Sequence, residues 1–314
     1  MDGSLFETPD NPIPAGAVSG MIEMPEGKRL RYARFPAAAR PLQGTVVIIP
    51  GRNDCIERFF ETVQDLSDRG FGVATFDLRG QGGSDRLLRD PYRGYIADFA
   101  HYAGDIGPFF EQIVLPDCRG PYYLLAHSTG ALVSLLACRH LYNRIERMVL
   151  LAPLLGFPGR SFAMRKAAPI SSFLHAAGLG TMYVHGGKPG GVQAFQGNPL
   201  TSDRRRYDRN CGIATAYPDL CIGGVTASWA RAASKAMAAV NSPDFLTEIR
   251  IPMLLIGAGQ DSVVSTSAIE EYARKLRTGA LIMIDGARHE LLQEADFYRE
   301  QVLAAFDAFI PGSN

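Results

Sequence analysis

Apolar positions along this chain follow two rhythms. Six short runs are apolar almost without interruption: residues 45–50 (TVVIIP), 71–77 (FGVATFD), 121–128 (PYYLLAHS), 147–153 (RMVLLAP), 252–259 (PMLLIGAG) and 280–287 (ALIMIDGA). Runs of this length, rich in Val, Ile and Leu, predict strands buried on both faces of a parallel sheet. Between them, apolar residues recur at helical spacing. Phe59, Phe60, Val63 and Leu66 do so after the first run, as far as Arg69 and Gly70. The stretches YIADFAHYAGDIGPFFEQIV, TGALVSLLACRHLYNR, TSAIEEYARKLR and DFYREQVLAAFDAFI follow the other runs in the same way. Alternating strand and helix predicts an α/β fold, a mostly parallel sheet with helices on its faces. Near the start, GMIEMPEGKRLRYARF alternates apolar and polar residues about a Glu-Gly turn, which predicts an antiparallel hairpin on the sheet edge.

The rhythm stops at Leu154 and returns at residue 252. Residues 154–240 are rich in Gly, Ala, Pro and Arg and hold helical fragments but no convincing strand. The expected organisation is therefore one sheet domain made from residues 1–153 and 241–314, with 154–240 inserted as a helical cap. No repeat or low-complexity tract interrupts this plan.

Composition narrows the setting. Of 314 residues, 46% are hydrophobic and 20% charged, and 32 basic side chains balance 32 acidic ones. A neutral balance gives no reason to expect nucleic acid as a partner, because a phosphate backbone selects a strongly basic face. No run approaches the roughly 18 apolar residues of a membrane span. The segment MDGSLFETPDNPIPAGAVSG has neither the basic start nor the apolar stretch of a secretory signal. Cys55, Cys118, Cys138, Cys211 and Cys221 are scattered, without a CxxC pair, and read as small apolar side chains in a reducing compartment. A cytoplasmic protein is expected.

The strongest chemical signal is AHSTG at 126–130, where a buried strand gives way to a helix. A sharp turn in that context lifts a serine hydroxyl to the carboxyl edge of the sheet. Small residues two positions either side let strand and helix approach, and Ala126 and Gly130 satisfy this. Serine needs a base, and His289 follows the last strand in GARHELLQE, on the same sheet edge. His127 adjoins the serine but points away from its hydroxyl, His101 and His140 fall within helices, and His175 and His185 belong to the insertion. The base needs an acid to fix its tautomer, and Asp261 ends the strand-loop GAGQD. Ser265 or Thr266 is available to cap the next helix, which leaves Asp261 free. The strand ending APLLGF offers no rival carboxylate. For the oxyanion of acyl transfer, the expected donors are the backbone amide of Thr129 and that of Arg52, which follows Pro50-Gly51. The loop DLRGQGGSD (77–85) lacks the Lys and Ser of a phosphate loop and reads as a structural loop beside the site.

Taken together, PGRNDCIERFFETVQDLSDRGFGVATFDLRGQGGSD, LLAHSTGALVSL, RMVLLAPLLG, NPLTSDRRRYDRN, GAGQDSVVS and GARHELLQE resemble the lysophospholipase and monoacylglycerol lipase branch of the α/β-hydrolases. The resemblance runs from about Gly44 to Glu294. It implies the α/β-hydrolase fold, a serine esterase acting on a lipid-like ester, and roles for Ser128, Asp261, His289, Arg52 and Thr129 that agree with the residue-level reading. No metal or organic cofactor is implied. The chain departs from such relatives in having Pro50-Gly51 where they commonly carry His-Gly, and Ala126 where they commonly carry Gly.

The insertion bears on substrate. Phe157, Phe162, Met164, Phe173, Leu174, Tyr183, Phe195, Trp229 and Met237 offer apolar surface for an acyl chain, or for the insertion's own core. Arg160, Arg165, Lys166, Lys188, Arg204, Arg205, Arg206, Arg209, Arg231 and Lys235 face only Asp203, Asp208 and Asp219, a surplus of seven positive charges that the rest of the chain offsets. Such a cap suits a phosphate-bearing substrate or an anionic membrane surface; a solvated helical face gives the same run. Other readings stay open: a small-ester or thioester hydrolase with the same three residues, and a catalytically silent binding module. A dehalogenase or epoxide hydrolase on this fold needs aspartate as nucleophile, and the serine at position 128 speaks against both.

Overall fold

A computed structural model describes residues 2–158, 170–185, 187 and 194–310. Strands β1 (Val18–Glu23), β2 (Arg29–Phe35), β3 (Gly44–Ile49), β4 (Phe71–Phe76), β5 (Tyr122–His127) and β6 (Arg147–Leu151) precede the middle of the chain. There β7 (Tyr183–His185) and β8 (Val225–Thr226) lie, and β9 (Met253–Ala258) and β10 (Gly279–Ile284) follow. Among the described residues, the helices used below are α1 (Phe60–Asp68), α2 (Phe99–Phe109), α3 (Thr129–Leu141), α4 (Arg204–Ala216), α5 (Ala227–Val240), α6 (Pro243–Glu248), α7 (Thr266–Lys275) and α8 (Asp296–Phe309).

Eight strands form one sheet in the order β1-β2-β4-β3-β5-β6-β9-β10. The β1–β2 hairpin joins antiparallel at β4, and every other pairing is parallel. This is the mostly parallel α/β sheet expected from the alternation of runs. Strands β3 and β9 are buried at every position, so both faces need cover. Helices α1 and α8 supply one layer, linked by Arg299 to Asp65 and by Arg69 to Asp307 at 3.1 Å. Helices α2, α3 and α5 pack against one another in a second layer. Parallel strands all end at one edge, so the loops after β3, β5, β9 and β10 converge there.

Two local expectations change. The helix after residue 95 starts only at Phe99, because Asp98 caps it by accepting the Ala100 amide at 2.9 Å. It then passes through a π-helical turn at Phe110–Val114, just beyond Pro108, which cannot donate a backbone bond. Between β6 and β9, where no strand was expected, β7 and β8 pair as a short antiparallel ribbon. Three and two residues are too few to show alternation in a sequence.

The β6–β9 segment is tied to the rest by charge. Arg206 meets Glu61 and Asp296, both at 2.7 Å, Arg209 meets Glu61 at 2.5 Å, and Lys235 meets Asp98 at 2.6 Å. The positive surplus of the segment and the negative surplus of the remainder therefore meet in part across their own interface. Trp229 and Met237 belong to the main core, Phe157 packs at its edge, and Phe173 is 72% exposed. Arg160, Phe162, Met164, Arg165, Lys166 and Lys188 lie outside the described residues.

Candidate active site

Strand β5 delivers His127 to the sheet edge, and the chain turns sharply into α3. Ser128, at the turn, has φ 51° and ψ −112°, a region L-residues seldom occupy. Its amide donates to the Leu151 carbonyl at 2.9 Å, and its carbonyl accepts from Leu154 at 3.1 Å, so β6 holds the turn in place. Gly130 completes it: a methyl group there would overlap the backbone carbonyls of Ile49 and Pro50. Ala126, by contrast, is accommodated in the strand, paired with Ile49 and Leu150 and fully buried. Among the described residues, the non-glycine positions with positive φ are Asn53, Ser128 and Ala152. They follow β3, β5 and β6, so the backbone strain collects at this one edge.

The structure brings together the three side chains singled out from sequence. His289 Nε2 lies 3.0 Å from Ser128 Oγ, and His289 Nδ1 lies 2.7 Å from Asp261 Oδ2. The Nδ1 proton goes to the carboxylate, which leaves Nε2 as an acceptor for the serine hydroxyl. Ser128 and His289 are buried, at 7% and 4% exposure. Burial alone would raise the Asp261 pKa. The hydrogen bond and charge of His289, with the Val264 and Val263 amides at 2.9 and 2.7 Å, outweigh it and hold the carboxyl below its ordinary value. Ser265 caps α7 through the Ala268 amide, so Asp261 is not spent on that role.

The proposed oxyanion donors stand on neighbouring strands. Arg52 follows β3 and Thr129 opens α3 after β5, with Ile49 and Ala126 in register. Among the described residues neither amide has a partner within the protein. The amides flanking Arg52 are engaged: Gly51 donates to Asp54 Oδ2 at 2.9 Å, and Asn53 donates to Gln81 Oε1 at 2.6 Å. The loop is thus fixed on both sides of one free N–H.

Sequence reasoning missed the groups beneath this site. His127 directs Nε2 to the His289 carbonyl at 3.2 Å and has Nδ1 3.5 Å from Asp54. Arg58 joins Asp54 at 2.7 Å to Glu290 at 2.6 Å. The cluster therefore ties the loop after β3 to the loop carrying His289. Only charged residues in otherwise ordinary loops mark it in the sequence. Burial opposes the Asp54 charge, but Arg58, His127 and the Gly51 amide prevail and push its pKa down to about 2. A carboxyl held below its ordinary 3.8 stabilises the fold above that value and ceases to do so as pH falls towards 2. We expect ~2 kcal/mol of unfolding free energy to disappear over that interval, at about 1.4 kcal/mol per pH unit. Chemical denaturation of Asp54→Asn beside the parent checks this: the variant should lack that part of the acid slope.

The loop DLRGQGGSD is a brace. Asp77 accepts from Arg31 Nε at 2.7 Å, the Gly83 amide at 2.6 Å and the Ile56 amide at 2.9 Å. Gly82, with φ 51°, has no room for a side chain against Asp77. Gln81 from this loop holds Asn53.

The family described as serine aminopeptidase, S33 (Hydrolase_4) matches residues 40–296. Lysophospholipase L2 of Escherichia coli K12 is 33% identical over 303 residues, covering 91% of this chain and 85% of its own. A probable lysophospholipase L2 of Haemophilus influenzae is 26% identical, covering 90% of each. Among solved structures, a soluble variant of monoglyceride lipase from Saccharomyces cerevisiae superposes with a TM-score of 0.75 at 17% identity, covering 96% of each chain. A monoacylglycerol lipase from Paleococcus ferrophilus gives 0.69 at 18%, covering 90% of this chain and 99% of that one. The chain therefore belongs to this serine-hydrolase family of α/β-hydrolases, on its lysophospholipase and monoacylglycerol lipase-like branch, and is a carboxylic ester hydrolase.

Proposed function

We propose that the protein hydrolyses a lipid carboxylic ester, a lysophospholipid or a monoacylglycerol, by two-step acyl transfer through Ser128, His289 and Asp261. The observation that carries this is the continuous hydrogen-bonded chain from Asp261 through His289 to the Ser128 hydroxyl. His289 Nε2 takes the hydroxyl proton as Oγ attacks the ester carbonyl. The amides of Arg52 and Thr129 hold the resulting oxyanion, and Thr129 adds the positive end of the α3 dipole. His289 returns the proton to the departing alcohol, leaving an acyl-serine. It then deprotonates a water that attacks the acyl carbon, releasing the fatty acid and restoring Ser128.

Residues 154–240 act as the cap in this reading. Ile170, Phe173, Leu179, Met182 and Val184, each at least 41% exposed, crowd into fifteen residues of it. Exposed apolar side chains at that density suit contact with a lipid surface. No helix among the described residues is long and apolar enough to cross a membrane. The curated relatives named for lysophospholipid hydrolysis support the substrate class.

Hydrolysis of p-nitrophenyl esters from short to long chain tests the reading. Rates that rise with chain length are expected. Activity confined to short esters would leave the three-residue chemistry in place and remove the lipid assignment. An absence of both hydrolysis and fluorophosphonate labelling would point to a silent binding module.

A further inference from the structure

Buried guanidinium groups in this protein typically face carboxylates: Arg31 meets Glu57 and Asp77, and Arg58 meets Asp54 and Glu290. Arg52 is different. Its Nη2 donates to the carbonyl oxygens of Gly223 and Gly224, the second at 2.6 Å, and its guanidinium lies 5.5 Å from the Trp229 ring centroid. Its Nε is buried and has no hydrogen-bond partner. Burial lowers the Arg52 pKa to about 10, and only the phenols of Tyr102 and Tyr183 act against that. Among the described residues no carboxylate balances this cation. A largely buried cation with no opposite charge beside it is costly, and it becomes favourable when a ligand brings that charge.

The position of Arg52 identifies that ligand, given the function proposed above, on which this inference rests. The Arg52 amide is an oxyanion donor, so the ester carbonyl sits at the root of this side chain. From amide nitrogen to guanidinium carbon, arginine spans as many covalent bonds as separate the ester carbonyl carbon from phosphorus in a lysophospholipid acylated at a terminal glycerol carbon. A guanidinium also presents paired donors that match two phosphate oxygens, in geometry that backbone carbonyls only partly use. We propose that the Arg52 guanidinium is the receptor for the substrate's phosphodiester. It exchanges the Gly223 and Gly224 carbonyls for phosphate oxygens as the head group enters, and so favours lysophospholipids over uncharged monoacylglycerols. Asn53 keeps the loop attached during the exchange, since its Oδ1 accepts the Ile222 amide at 2.7 Å.

The test compares kcat/KM for 1-palmitoyl lysophosphatidylcholine and 1-palmitoylglycerol in the same detergent, for the parent, Arg52→Gln and Arg52→Lys. In Arg52→Gln the ratio of the two should fall roughly tenfold or more, the loss expected for a charged hydrogen bond. Arg52→Lys, which keeps the charge but not the fork, should recover part of it. Equal losses on both lipids would mean that Arg52 serves only to hold the oxyanion loop, and would overturn the proposal. A second measurement needs no variant. Glycerophosphocholine should inhibit parent hydrolysis of p-nitrophenyl butyrate competitively at concentrations where glycerol does not; identical behaviour of the two would also overturn it. A parent enzyme that cleaves 1-palmitoylglycerol but not the lysophospholipid would remove the phosphate receptor and leave the lipid-ester function standing. Inactivity on both lipids would remove that function as well.

Discussion

Ser128→Ala should lower kcat for ester hydrolysis by on the order of 10⁶-fold while leaving the fold intact. The residue sits 3.0 Å from His289 Nε2, which is held in turn by Asp261. Alanine keeps the backbone at φ 51° and removes a single oxygen, so the melting temperature should barely move. His289→Ala should cost a similar factor, and the double variant should fall no further, because the two side chains act as one unit. Asp261→Asn should cost about 10⁴-fold, by presenting the wrong tautomer to the serine. A kinetic trace under single-turnover conditions, with fluorophosphonate titration to count intact sites, reads all four. Retention of more than a few per cent of activity in Ser128→Ala would transfer the nucleophile to another residue.

The largest expected effect on stability comes from Arg31→Met. Arg31 is fully buried and bonds Asp77 at 2.7 Å and both oxygens of Glu57 at 2.7 Å, with the Ser4 carbonyl at 3.0 Å. Removing the cation strands two carboxylates in the interior, a change that costs on the order of 3–5 kcal/mol. For a chain of this size the melting temperature should drop by on the order of 10 °C. The deficit should also depend on pH. Burial, reinforced by the Glu57 charge, already raises the Asp77 pKa against the pull of Arg31. Without Arg31 the pKa rises further. A carboxyl whose folded pKa is raised loses stability as pH climbs above its unfolded value, so the variant should be weaker at pH 8 than at pH 5. Calorimetry at both pH values checks the sign, and a variant melting like the parent at pH 8 would show that Arg31 and its two carboxylates contribute nothing.

The sequence disclosed the sheet because burial on both faces leaves unbroken apolar runs, and β3, β5, β6 and β9 are such strands. It pointed to Ser128, Asp261 and His289, which the structure brings within hydrogen-bond distance of one another, because each follows a strand at the shared edge, where strand order and crossover hand dictate proximity. The supporting cluster of His127, Asp54, Arg58 and Glu290 was not legible, since it joins loops 232 residues apart and no spacing rule connects them. Asp77 and Gln81 were recognisable as loop residues but not as a brace. The β7–β8 ribbon was too short to show a period. The basic residues of 154–240 could be counted in the sequence, yet a count cannot separate Arg206, which is buried on Glu61, from Arg204, whose side chain is 62% exposed.

Glu61 has a consequence for transplanting parts between relatives. One carboxylate on α1 receives Arg205 at 3.5 Å, Arg206 at 2.7 Å and Arg209 at 2.5 Å, all from α4. Arg206 and Arg209 outweigh the burial of Glu61 and bring its pKa to about 2. A chimera carrying a foreign segment between β6 and β9 would inherit Glu61 without its guanidinium groups. Donor and recipient are compatible only when both sides of that contact are exchanged, so the acid on α1 travels with the graft although it lies 145 residues from Arg206 in the chain.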